Sequence, residues 1–151
     1  IKEVESVINA NKSVNLLVRK NKKSSLVDSL NEGIILSKYD NIIWLDADFS
    51  HPPKYIEEFI NYKRNIEDID VIVFSRFLKK SIRYYEIEKT KAATIDYLSI
   101  ALNKLCNFFL LKSFSDFTSG YICIKKECIK NYSLKGYYGD YFINLIVGYN
   151  H

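Results

Sequence analysis

The sequence predicts an α/β domain built on a mostly parallel sheet, and three observations predict it. Three short apolar runs, 14–18 (VNLLV), 42–45 (IIWL) and 71–74 (VIVF), have the length of strands, the last two continuous enough to be covered on both faces. Amphipathic stretches stand between them, so the order is strand, helix, strand, helix, strand, as in crossover units. Chemistry-bearing residues follow the runs directly: Arg19, Asp46 to Asp48, and Ser75–Arg76. They fall where strands end, the edge at which open α/β folds bind ligands.

In chain order, Ile1, Val4, Val7 and Ile8 stand at helical steps and read as the end of a helix. Strand 14–18 follows, then the basic stretch 19–23. Ser24 or Ser25 can cap the next helix, in which Leu26, Leu30 and Ile34 share a face, with Gly33 inside it. Asp40 and Asn41 break the chain before the run at 42–45. Ser50 or His51 leads into a helix with Pro52 and Pro53 in its first turn and with Tyr55, Ile56, Phe59, Ile60 and Tyr62 along it. The charged stretch 79–91 reads as a loop or a helix start. The longest helix spans 92–111, and its stripe of Ile95, Leu98, Leu102, Leu105, Phe108 and Phe109 is expected to pack on the sheet. The other reading of that stripe is contact with a lipid interface, since Lys112 follows the apolar residues 108–111. The polar turn 115–120 (SDFTSG) leads into a strand at 121–124, a short helix at 125–132, a loop at 136–140 with Asp140 as a cap, and a last helix at 141–147.

Composition narrows the function classes. The 151 residues, 48% hydrophobic, suffice for one domain with a real core. A formal charge of +4 is too small to argue for nucleic acid but is compatible with anionic phosphates or an anionic membrane surface. Three cysteines (Cys106, Cys123, Cys128) without C-x-x-C spacing read as reduced thiols of a cytosolic setting. No signal peptide and no run long enough to span a bilayer is visible. The chain starts at Ile1 and contains no methionine, which reads as a piece of a longer sequence.

The chemistry concentrates at 41–53, NIIWLDADFSHPP. Two aspartates one residue apart repel each other unless a cation or hydrogen-bond donors offset the repulsion. An oxygen-only pair suits a hard ion such as Mg²⁺ or Mn²⁺, which takes one or two carboxylates together with substrate phosphates. Aspartates also cap helices, and the readings coexist if Ser50 caps while Asp46 and Asp48 bind metal. His51 lacks the partners of a zinc site and reads as a packing and hydrogen-bonding residue.

With these pieces in line, the sequence resembles glycosyltransferase family 2, and within it the polyprenyl-phosphate sugar transferases of the dolichol-phosphate mannosyltransferase type. The resemblance rests on D-A-D-x-x-H-P-P at 46–53, S-R-aromatic at 75–77 and D-x-T-S-G-aromatic at 116–121, with Arg19 and Gly33 also in place. The family's first strand, with its P-x-Y-N-E type motif, and the segment after its final helix have no counterpart here. Residues 1–151 are thus expected to be one partial catalytic domain, truncated at both ends. Ser24 and Ser25 replace the family's glycine-rich helix start, and Phe74 replaces the glycine before S-R.

The resemblance implies a GT-A fold, a Rossmann-like three-layer sandwich with a mostly parallel sheet and its first strand missing. It implies an inverting transfer from a GDP- or UDP-sugar, with Mg²⁺ or Mn²⁺ held by Asp46, Asp48 and Ser50 on the diphosphate. Asp46, Asp48 and Arg19 are then donor-binding, and Asp46, Asp48, Arg76 and Asp116 catalytic. Ser75 and Arg76 are placed to hold a polyprenyl phosphate, Arg76 bidentately, its bland reading being a surface ion pair. Asp116 keeps two readings, an acceptor-orienting group or base, and a cap of the 118–120 turn. The family's basic residue before the long helix is Arg83, Lys89 or Lys91. The implied location is the cytoplasmic face of a membrane, with no nucleic acid among the partners. Two further readings stand beside this one: transfer to a saccharide hydroxyl of a cell-surface glycan, which needs a general base, and an inactive fragment.

Overall fold

A computed structural model describes residues 13–19, 25–48, 50–66, 69–78, 89–110, 115–130, 133–136, 141–143 and 145, with side chains at 97–109 of the long helix. The expected helix at 1–10, the loop at 79–88 and the cap at Asp140 lie outside them.

The first helix, α1, spans Leu26–Leu36. Ser25 is its N-cap: the Ser25 backbone is extended and its Oγ accepts the Asp28 N–H at 3.1 Å. Asp28 in the first turn complements the positive end of the helix dipole. Val27 and Ile34 are buried with Leu30 against them, whereas Leu26 is 44% exposed. Val27, not Leu26, therefore opens the apolar face, because steps of three and four hold a stripe straight while two steps of four drift around the helix.

Strand β1 is Asn41–Trp44, β2 is Val71–Val73 and β3 is Ile122–Lys125, in the sheet order β1–β3–β2. Helix α2, Ile56–Asn65, crosses from β1 to β2 and is preceded by a single 3₁₀ turn at Pro53–Tyr55. Pro52 precedes that turn and no side chain caps it, so the expected cap at Ser50 or His51 is not made. Both ladders are antiparallel, with Ile42 opposite Ile124 and Val71 opposite the same Ile124. The expectation of a mostly parallel sheet is thereby corrected for the described strands. β1 and β2 do run parallel to each other, but β3 lies between them. Its direction follows from the route of the chain, which reaches β3 through the turn at 115–121, at the edge where β1 and β2 finish.

Alternation along the strands makes two cores. Ile42, Trp44, Ile122 and Ile124 face α1, Phe117 and Phe142, while Ile43, Ile72, Tyr121 and Cys123 face α2 through Phe59. Phe59 is fully buried and meets Phe74 and Tyr121 edge-on, with centroids 4.5 and 5.2 Å away. Both faces of the sheet are thus covered, as the apolar runs at 42–45 and 71–74 required, and the α/β reading holds. The run at 14–18 differs: it joins no ladder among the described residues, and Leu16, Leu17 and Val18 are each 45–48% exposed. An extended segment becomes a strand only beside another, and none of the described ones lies there.

Helix α3, Lys89–Leu110, is where the burial expectation reverses. Among its described side chains, 97–109, the buried ones are Asn103 and Cys106, while Leu98, Leu105, Phe108 and Phe109 are 54–74% exposed; Ile95 lies outside them. The polar side turns inward because Asn103 is fully used there, donating to the Ser99 carbonyl at 2.8 Å and accepting the Phe117 N–H. A short helix α4, Lys126–Ile129, follows β3. None of the three cysteines, Cys106, Cys123 and Cys128, is in a disulfide.

Candidate active site

Because β3 runs backwards, its leading turn meets the ends of β1 and β2. Three segments that the sequence separates by up to 70 residues therefore meet at one edge: the acidic loop after β1, Ser75–Arg76 after β2, and Asp116 to Tyr121 before β3.

The acidic loop is held at three points. Asp48 Oδ1 accepts the Ser50 N–H at 2.9 Å, an Asx turn. His51 Nδ1 accepts the Asp46 N–H at 2.8 Å. The Tyr121 hydroxyl donates to the Pro52 carbonyl at 3.1 Å. The Ser50 hydroxyl and N–H hold the Asp48 carboxyl below its ordinary value, so it is ionised near neutrality. Burial pushes the His51 imidazole below its ordinary value, against the opposing pull of Asp46 and Asp48 and with help from the charge of Arg76. Since Nδ1 is an acceptor, the neutral ring carries its proton on Nε2.

Asp46 is half exposed and Asp48 stands in solvent, so both carboxylates point out of the sheet edge. Among the described residues, no three His, Cys, Asp or Glu side chains gather into a cage for a metal. Two open carboxylates are the donor set of an ion that keeps other positions for phosphate oxygens and water, and so they fit Mg²⁺ or Mn²⁺ shared with a ligand. Ser50 acts on Asp48 in this structure.

Arg76 and Asp116 are found together, each the other's partner. Arg76 donates from its backbone N, Nε and Nη2 to Asp116, at 3.1, 2.8 and 2.9 Å, and Nη2 also reaches Thr118. Asp116 has no exposure to solvent. Burial pushes its carboxyl up, but the hydrogen bonds and charge of Arg76, with the N–H of Thr118, outweigh this and hold it below 3.8. The carboxylate is thus occupied by Arg76 and Thr118 in this structure. Its Oδ1 does accept the Thr118 N–H at 3.0 Å, the capping alternative. Arg76 is three-quarters buried in this ion pair. Ser75 Oγ accepts the Phe77 N–H at 3.1 Å and shapes the turn after β2.

Arg19 is tied to α1. Its Nε donates to Glu32 at 3.1 Å, its Nη1 donates to the Ser25 carbonyl and to Ser29, and Asp28 lies 3.5 Å from Nη2. Those contacts hold residue 19 on the first turns of α1.

Three further residues shape the site. Gly120 leaves room for His51: a Cβ there would stand 2.9 Å from the ring's Cε1. Tyr121 stacks on His51 with centroids 5.1 Å apart. Asn103 anchors the turn from α3. Gly120 and Tyr121 belong to the D-x-T-S-G-aromatic motif, whereas Asn103 escaped the sequence reading and carried no signal.

The family model described as Glycosyl transferase family 2 matches residues 2–133, which include all three segments.

Proposed function

We propose, for a chain that belongs to glycosyl transferase family 2 and so is a glycosyltransferase with a nucleotide-sugar donor, an inverting transfer to a polyprenyl phosphate at the cytoplasmic face of a membrane. The observation that carries the reading is the pair of open carboxylates, Asp46 and Asp48, fixed at the end of β1. Mg²⁺ or Mn²⁺ bound through Asp46 and Asp48, with Ser50 beside them, supplies Lewis-acid stabilisation of the leaving diphosphate. Ser50 holds the Asp48 carboxylate, and His51 holds the backbone of Asp46 by accepting its N–H. These two carboxylates form the donor side; Arg19, spent on α1, is left out of it.

Two observations favour a phosphate acceptor over a saccharide hydroxyl. A hydroxyl needs a base, and Asp116, the residue in place for one, is buried against Arg76. A phosphate is already an anion near neutral pH and needs none. In addition, α3 presents Tyr97, Leu98, Leu105, Phe108 and Phe109 outward, an apolar face suited to the lipid interface in which a polyprenyl chain lies. Arg76, occupied on Asp116, positions the acceptor side, and the cation for the acceptor phosphate is sought among Arg83, Lys89 and Lys91.

The test is calorimetric titration with GDP- and UDP-sugars in Mn²⁺, followed by transfer assays with polyprenyl phosphate and with saccharide acceptors. Binding that needs Mn²⁺ and disappears in Asp48→Ala, with transfer to the lipid phosphate, is expected. Failure to bind at millimolar donor, or transfer that persists in Asp48→Ala with chelator present, refutes the assignment.

A further inference from the structure

We infer that His51 and Gly120 are the positioning pair of the acidic loop: the imidazole, seated where Gly120 has no side chain, holds Asp46 and Asp48 in the arrangement that meets the donor's diphosphate. This rests on the reading of Asp46 and Asp48 as the donor site.

The loop leaves β1 at Leu45 and must turn back within a few residues to reach Pro52. A turn of that kind leaves backbone N–H groups without ladder partners, and each needs an acceptor. The Asp46 N–H finds one in His51 Nδ1 at 2.8 Å, five residues on, which closes the loop into a ring. The imidazole is itself fixed from two sides. One face stacks on Tyr121, whose hydroxyl holds the next residue, Pro52, by its carbonyl. Its Cε1 edge lies against Gly120, so close that a Cβ would be 2.9 Å from the ring carbon and 3.4 Å from Asp46 Oδ2. Gly120 is needed for space, not for conformation: among the described glycines only Gly136 has a positive φ. The ring thus has one seat, and the seat sets the backbone of Asp46. Asp48 is set from the same loop through Ser50, which lies next to His51.

Three substitutions separate this role from general stability. In His51→Asn, the side-chain oxygen falls near the place of Nδ1 and can still accept the Asp46 N–H. In His51→Gln, the amide lies near the place of Nε2 and cannot. Gly120→Ala leaves the imidazole in the sequence but fills its seat. Two readouts apply to the full chain: hydrogen exchange of the Asp46 amide, and affinity for GDP or UDP in Mn²⁺. His51→Gln and Gly120→Ala are expected to open the Asp46 amide to fast exchange and to weaken nucleotide binding by about 10- to 100-fold, the usual effect of losing a group that orients a ligand-bearing carboxylate. His51→Asn is expected to retain both, and thermal midpoints should not rank the variants in that order. Wild-type protection and affinity in His51→Gln and Gly120→Ala would overturn the inference. If the wild-type chain binds neither nucleotide, the donor-site reading fails, and amide exchange alone decides: protection in wild type and His51→Asn but not in His51→Gln upholds the holding role, and an unprotected Asp46 amide in wild type ends it.

Discussion

Replacing Asp116 by Asn tests whether the joint between β2 and β3 is structural. The change keeps shape and removes one charge. Asp116 accepts five hydrogen bonds: Oδ2 takes the backbone N and Nε of Arg76, and Oδ1 takes Nη2 of Arg76 together with the N–H and hydroxyl of Thr118. An amide has one oxygen, so either orientation turns an NH₂ group toward at least two donors. Arg76 meanwhile keeps a charge that is three-quarters buried and has lost its counter-ion. Breaking a buried pair from one side costs about 3–5 kcal/mol, against about 0–1 kcal/mol for an exposed one. Urea unfolding followed by the fluorescence of Trp44, the sole tryptophan and a buried one, reads this directly. With a slope of about 2 kcal/mol per molar urea, the midpoint should fall by roughly 2 M. The double variant with Arg76→Leu should lose less than the sum of the single changes, since the two groups share one network. A midpoint within about 0.5 M of wild type, or additive losses, would show the pair to be solvent-screened and the joint account wrong.

Two further outcomes follow. Asp116 and His51 both have folded values held below their ordinary ones of 3.8 and 6.5, so in each case the unfolded chain binds more protons within the intervening window and stability rises with pH there. Acidification should therefore weaken the fold first below about pH 6.5, where His51→Phe flattens the slope, and again below about pH 3.8, where Asp116→Asn does; urea midpoints taken across pH check both limbs. Phe59→Ala removes the fully buried ring between Phe74 and Tyr121 and should cost about 3–5 kcal/mol in the same unfolding assay, a cost of about 1 kcal/mol meaning that the second core collapses to fill the space.

What could be read from the sequence was local. Each apolar run at 42–45 and 71–74 announced a doubly covered strand because its side chains must go to both faces, and they do. Ser25 announced a cap because its chemistry is used within three residues. Strand direction was illegible: an apolar run looks the same whichever way it pairs, and only the path through 115–121 reverses β3. The stripe on α3 misled for a related reason. Periodicity shows that two faces differ, not which one turns inward, and the buried bonds of Asn103 decided it. That Arg76 and Asp116 pair with each other was illegible too, since 40 residues separate them in the sequence.

The turn before β3 is a structural joint. In D-F-T-S-G-Y every residue has a separate task. Asp116 takes Arg76 and ties down the end of β2. Phe117 fills the first core, while its N–H reaches Asn103 and fixes α3. Thr118 adds a second acceptor for Arg76. Ser119 donates to the Phe74 carbonyl at 2.6 Å and accepts the Tyr121 N–H, locking the first residue beyond β2 to the residue that opens β3. Gly120 leaves the seat for His51, and Tyr121 stacks on that ring and on Phe74 together. Asp116 is fully buried, and every bond it accepts in this structure comes from Arg76 or Thr118. At this sheet edge the carboxylates open to solvent are Asp46 and Asp48, and the turn contributes the seat of the His51 ring that accepts the Asp46 N–H.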